Sequence, residues 1–140
     1  MPGSPGLARN FLGGGEDTVR HTFMVPLPPS TNNLYKTITN WERRQTFRAE
    51  SKEYKQWRKE VTGLAVTPTF FPAHQIWRVH IDLGRMPHNR DVDNCAKAII
   101  DLIVRETGLA DQWLNVLLVH RSPNDWGGRC EVTFRTDEGE

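Results

Sequence analysis

Cysteine is scarce: Cys95 and Cys130 are the only two in 140 residues, and neither has a CxxC or CxxH partner. That spacing excludes a zinc site and fits reduced thiols in a cytosolic protein. Cys95 reads as a small core residue on a helix. No apolar run approaches the ~18 residues that span a bilayer, so no membrane partner is expected. The N-terminus lacks the charged head and apolar centre of a signal peptide. There is no Gly-rich phosphate loop, which argues against nucleotide chemistry and a small-molecule cofactor. The five histidines (His21, His74, His80, His88, His120) show no ligand spacing. His80 and His120 are expected on the solvent side of strands, and His88 falls near the acids described below.

What is present describes a globular chain. Hydrophobic residues at 37% and charged residues at 25% are ordinary for one domain with a modest core. Gly and Pro crowd the first 18 positions (Pro2, Gly3, Pro5, Gly6, Gly13, Gly14, Gly15). The expected organisation is a flexible extension over 1–20, a folded domain over 21–136 and an acidic tail over 137–140. The net charge of +1 hides an uneven distribution, because residues 20–135 hold 17 bases against 12 acids. Residues 41–60 hold seven bases (Arg43, Arg44, Arg48, Lys52, Lys55, Arg58, Lys59) against four acids. Such a surplus suits a polyanion, although a charged helix is often just a solvated face.

Periodicity supplies the elements. Thr22–Val25 reads as a strand stopped by Pro26, Pro28 and Pro29, followed by the polar loop Ser30-Thr31-Asn32-Asn33. Tyr54, Trp57, Val61 and Leu64 recur at helical spacing over about 50–64. Trp77, Val79, Ile81 and Leu83 alternate with Arg78, His80 and Asp82, the pattern of a strand with one buried face. A second helix over about 93–106 carries the stripe Ala96, Ile99, Ile100 and Ile103, with Asp93 as N-cap and Gly108 as stop. Val116–Val119 and Val132–Phe134 are further strands, joined by the turn Asn124–Gly128. The order βαβαββ predicts an α/β fold, a mixed sheet of about four strands with two helices packed against it.

The chemistry concentrates in Arg90-Asp91-Val92-Asp93-Asn94-Cys95-Ala96-Lys97. Two acids and a lysine at a helix start are costly to hold together unless a divalent ion neutralises the acids. Asp93 and Lys97, four apart, share a helix face, and Asp91 just outside can turn to the same point. Carboxylate oxygens plus waters suit Mg²⁺, which can bind a phosphodiester oxygen and acidify a water. Lys97 could neutralise charge on the phosphate, and Arg90 could hold a neighbouring one. The bland alternative makes Asp93 an N-cap, Asp91 a loop acid and Lys97 a surface partner of Asp93. A Ca²⁺ loop fails for want of Gly and Glu at the required offsets. A phosphatase-type nucleophile fails because polar Met86–Arg90, rather than an apolar strand, leads into Asp91. Trp41, Trp57, Trp77, Trp113 and Trp126 could stack on bases, although Trp57 and Trp77 fit the core. Asn32, Asn33 and Tyr35 are placed for backbone contacts to DNA.

Val25-Pro26-Leu27-Pro28-Pro29-Ser30-Thr31-Asn32-Asn33-Leu34-Tyr35 resembles the opening signature of the RusA family of Holliday junction resolvases. Arg44-Gln45-Thr46-Phe47 with the Tyr54 helix resembles that family's basic strip. Arg90 to Lys97 meets its catalytic pattern Arg-Asp-x-Asp-Asn-x-x-Lys. The resemblance covers roughly residues 22–136. It implies a cytoplasmic, nucleoid-associated, homodimeric Mg²⁺-dependent endonuclease of DNA recombination and repair that cuts four-way junction DNA by paired nicks. Asp91, Asp93 and Asp111 would then be catalytic acids that bind the metal, and Lys97 the base or charge stabiliser. Arg90, Asn32, Asn33, Tyr35, Arg43, Arg44 and Lys52 would contact DNA. The family usually has an Asp-Asp pair after the second helix, where this chain has Asp111-Gln112. A catalytically silent junction-binding protein is the alternative.

Overall fold

The computed structural model describes residues 20–30, 34–67, 69–72, 74–88 and 90–137. In chain order these form β1 (Arg20–Pro26), β2 (Tyr35–Asn40), β3 (Gln45–Glu50), α1 (Lys52–Val61), β4 (Trp77–Asp82), α2 (Ala96–Thr107), β5 (Leu114–His120) and β6 (Arg129–Thr136). The main sheet runs β1-β6-β4-β5, and β2 pairs only with β3. β4 and β5 are parallel while β6 is antiparallel to both β1 and β4, so the sheet is mixed. Two helices and a mixed four-stranded sheet are the α/β architecture expected. The expected extension over 1–20 lies outside the described residues up to position 19, and Arg20 opens β1. Asp137, counted with the acidic tail, is buried and bridges Arg78 at 2.9 Å and Arg135 at 3.2 Å.

Local chemistry accounts for the helix limits. Ser51 caps α1 by accepting the Tyr54 N–H at 3.1 Å. Glu53 in the first turn and Arg58 and Lys59 in the last complement the helix dipole. Tyr54, Trp57 and Val61 are its buried stripe. α2 buries Ala96, Ala98, Ile99, Leu102 and Ile103 and stops at Gly108, whose φ of 83° is left-handed. The Glu106 carboxylate accepts the N–H groups of Gly63 at 2.7 Å and Ala65 at 3.1 Å, tying the exit of α1 to α2. Phe23, Val25, Trp77, Val79, Ile81, Val132 and Phe134 line one sheet face and share a single core with both helices. Burying each large apolar side chain stabilises the fold by roughly 1.5–3 kcal/mol.

Three local expectations are corrected. First, residues 35–50 form a hairpin where periodicity marked no element, because their sequence is rich in Thr and charge rather than in alternating apolar residues. Second, β4 is buried on both faces: His80 is 4% and Asp82 5% exposed. His80 does not face solvent, and its Nε2 lies 2.8 Å from that of His120. β4 is flanked by β5 and β6, whose Thr133 and Arg135 crowd its second face. Third, Asp93 is not the cap of α2. A 3-10 turn, Val92–Cys95, extends the helix start, so Cys95 takes the cap position without a side-chain bond.

Candidate functional site

The candidate acid and base side chains are carried by the β4–α2–β5 unit, a parallel βαβ crossover. α2 presents Lys97 and Asp101 outward one turn apart, their charged groups 3.5 Å from each other. Asp93, in the preceding 3-10 turn, continues this stripe. Beyond the helix, a second 3-10 turn, Asp111–Trp113, leads into β5. Asp93, Ala96, Lys97, Ile100, Asp101, Asp111, Gln112 and Leu114 line one open cleft of about 580 Å³.

The Asp111 side of this cleft is held from the core. Trp77 is fully buried, and its indole N–H donates to the Ala110 carbonyl at 2.8 Å. The buried Thr107 hydroxyl donates to the Ile103 carbonyl at 2.6 Å and accepts the Leu109 N–H at 3.2 Å. Gly108 donates to the Val104 carbonyl at 3.3 Å. The short path from α2 to Asp111 is thus fixed on both sides, by β4 and by the end of the helix.

The structure brings together three of the expected acid and base residues, Asp93, Lys97 and Asp111, and all three are exposed. Asp91 is exposed immediately before the 3-10 turn and is not part of the cleft wall. Lys97 pairs with Asp101 rather than Asp93. Arg90 is turned inward: its guanidinium donates to the Pro28 carbonyl and lies 3.8 Å from Cys95 Sγ, while its own carbonyl accepts from Arg121. Half-buried, it fastens the loop carrying Asp91 to the chain after β1. Arg43, Arg44 and Lys52 are exposed on the hairpin turn and at the start of α1. Asn32 and Asn33 lie outside the described residues, and Tyr35 is described as the first backbone position of β2. No protein-family model matches the chain, and no curated protein matches it.

Two cleft residues escaped the sequence reading. Asp101 follows Lys97 by four positions, a signal for an ion pair that the sequence does contain. Gln112 was noted only as the occupant of an acid's usual place. His88 lines a separate hollow with Gly84, Arg85, Met86, Pro87, Arg121 and Ser122. Burial raises the Cys95 thiol pKa, an effect that Arg90 and Arg121 partly offset, and pushes Cys130 up to about 12. Both thiols are therefore core groups rather than nucleophiles.

The donor set suits a hard, oxygen-seeking cation. Mg²⁺ commonly takes one or two carboxylates and fills its remaining positions with water and substrate phosphate. Among the described residues, no three of His, Cys, Asp and Glu gather as a ready-made metal cage. Spacing gives one reason: Asp93 sits in the 3-10 turn before α2 and Asp101 eight residues later, a rise of roughly 12 Å or more. The acids are spread along α2, and their negative charge repels a phosphate unless a cation lies between them.

Proposed function

We propose that this protein is a Mg²⁺-dependent endonuclease of the RusA type that acts as a homodimer on four-way junction DNA. The observation that carries this reading is the shared cleft of Asp93, Lys97 and Asp111, built by the two ends of the α2 crossover. The motif order from Val25 to Lys97 and the basic hairpin and α1 support it. Asp93 and Asp111, joined by Asp91 from the adjoining loop, would hold the ion. An ion held there would supply Lewis-acid chemistry, polarising a phosphodiester oxygen and acidifying a water. Lys97 offers its ammonium to the phosphate oxygens as negative charge grows on them, leaving Asp101. Arg43, Arg44 and Lys52 neutralise backbone phosphates at a distance. The described residues of one chain offer one such cleft, so nicking two equivalent strands calls for a second copy.

The test is a labelled synthetic four-way junction incubated with the protein, with and without Mg²⁺. Wild type should cut only with the ion. Asp91→Asn and Asp93→Asn should not cut but should bind as well or better, since each removes a charge that repels phosphate. Cutting at the wild-type rate by either variant would refute the site. The spread of the acids along α2 also favours a second reading, a junction-binding protein without cleavage, and binding without any Mg²⁺-dependent product would establish it. For the dimer, mixing wild type with excess Asp91→Asn should leave nicked circles from a cruciform plasmid where wild type leaves linear DNA. Linear product that falls only in proportion to wild type, with no nicked species, would sink paired nicking.

A further inference from the structure

Trp41 stands at the turn of the β2–β3 hairpin with 83% of its surface exposed, the most exposed large apolar side chain among the described residues. Exposed tryptophan costs solvation free energy and offers a wide, rigid π face. Its setting is ordered: the Asn40 side-chain oxygen accepts the N–H groups of Glu42 at 3.1 Å and Arg43 at 3.2 Å, fixing the turn just beyond the indole. Arg44 closes the turn in a left-handed conformation, φ 54°, and register pairing resumes at Asn40 and Gln45. At the base, the Ser51 N–H donates to the Leu34 carbonyl at 2.8 Å, and Arg58 of α1 pairs with Glu50 at the end of β3. The hairpin is a ribbon that pairs with no other strand of the described chain and is anchored at one end.

On the footing that the protein binds branched DNA, we propose that Trp41 is a stacking platform for an unpaired or unstacked DNA base. Two features select this occupant. The same four-residue turn carries the exposed cations Arg43 and Arg44 against one acid, Glu42, so its net charge is positive. A nucleotide presents both an aromatic face and a phosphate, whereas a purely apolar partner would leave the arginines without a counterpart. In a continuous duplex both faces of every base are covered by neighbours, so a ring gains a face only where stacking is interrupted. A branch point supplies such interruptions. Trp41 therefore adds recognition of structure to the sequence-independent attraction of the basic turn.

The experiment measures metal-free binding of wild type, Trp41→Ala and Trp41→Phe to a four-way junction, a linear duplex of the same arms and an oligothymidylate. Circular dichroism checks that each variant folds. Trp41→Ala should weaken junction and oligothymidylate binding by roughly 5- to 150-fold, the span of one base–aromatic stack. Duplex binding and the salt slope should stay unchanged, because no charge is removed. Trp41→Phe should keep most of the affinity but lose the quenching of tryptophan emission that oligothymidylate causes in wild type. Equal binding by Trp41→Ala and wild type, or an equal loss on duplex and oligothymidylate, would overturn the stacking role. Cleavage is scored separately. A wild type that binds but never cuts refutes the nuclease and leaves stacking to be decided by these affinities. A wild type that binds none of the three DNAs refutes both.

Discussion

Asp101→Asn separates the lysine's resting partner from the acids proposed to hold the ion. The Lys97–Asp101 pair spans 3.5 Å, with side chains 52% and 30% exposed. Two charges at that distance in bulk water attract by about 1 kcal/mol, and salt and side-chain ordering reduce this to roughly 0.3 kcal/mol for a helical i,i+4 pair. The order, lysine before acid, runs against the helix dipole and favours the low end. Asp101→Asn should therefore lower the melting temperature by only about 1–2 °C. Its effect on DNA should have the opposite sign. A negative charge about 8 Å from a phosphate in water repels it by roughly 0.5 kcal/mol, so junction affinity should rise about twofold. Lys97 is freed at the same time, and Mg²⁺-dependent cleavage should persist. The checks are a thermal melt by circular dichroism, a filter-binding isotherm and the junction-cleavage rate, all on one preparation. Loss of cleavage by 100-fold or more in a variant that melts normally would refute this reasoning and make Asp101 a holder of the ion.

Replacing Arg43 and Arg44 together by Ala should flatten the slope of log affinity against log salt by ~1–2 units, and an unchanged slope would show that the turn faces away from DNA. Trp77→Phe removes both indole volume and the bond to the Ala110 carbonyl, so urea unfolding should show a loss of about 2–4 kcal/mol. Cleavage by the fraction still folded should fall as well if that bond places Asp111; normal cleavage per folded molecule would show that it does not. For pH, burial and the neighbouring His120 depress the His80 pKa from 6.5, against a smaller opposing pull from Asp82. The unfolded chain then takes up a proton that the folded chain resists, so this contribution is complete above about pH 6.5 and declines as pH falls below it. Melts at about pH 7.5 and 5.5 should show the drop, and a His80→Gln variant should show less of it; equal slopes in both would refute the assignment.

The helices and the main sheet were legible because their apolar residues keep a clean period. Ile99 and Ile103 mark the buried side of α2, Trp77, Val79 and Ile81 that of β4, and Gly108 marks a stop that only a left-handed residue makes well. Asp93, Lys97 and Asp111 were legible as candidates, and the structure adds their common cleft. The hairpin was not legible, since a ribbon rich in Thr and charge has no alternation to read. His80 was misplaced for a related reason. Alternation reports which residues are apolar, but a polar side chain between two neighbouring strands can be buried simply by crowding. Arg90 illustrates the same limit, because a guanidinium suited to phosphate is equally suited to a backbone carbonyl such as that of Pro28.

The strand order carries a consequence for how the chain assembles. β6, last in sequence, lies inside the sheet between β1 and β4, and Arg20 at the start of β1 pairs with Arg135 near the end of β6. During synthesis β1 has no partner until nearly the whole domain has emerged, and Phe23 and Val25 must wait with their apolar faces uncovered. Such distant pairing slows folding and prolongs exposure of sticky intermediates. A nascent chain stalled before residue 129 would hold β4, α2 and β5 but would lack the strand that joins β1 to them. Slower translation would therefore give little help to this domain, whereas a chaperone that shields β1 until β6 arrives would raise its yield.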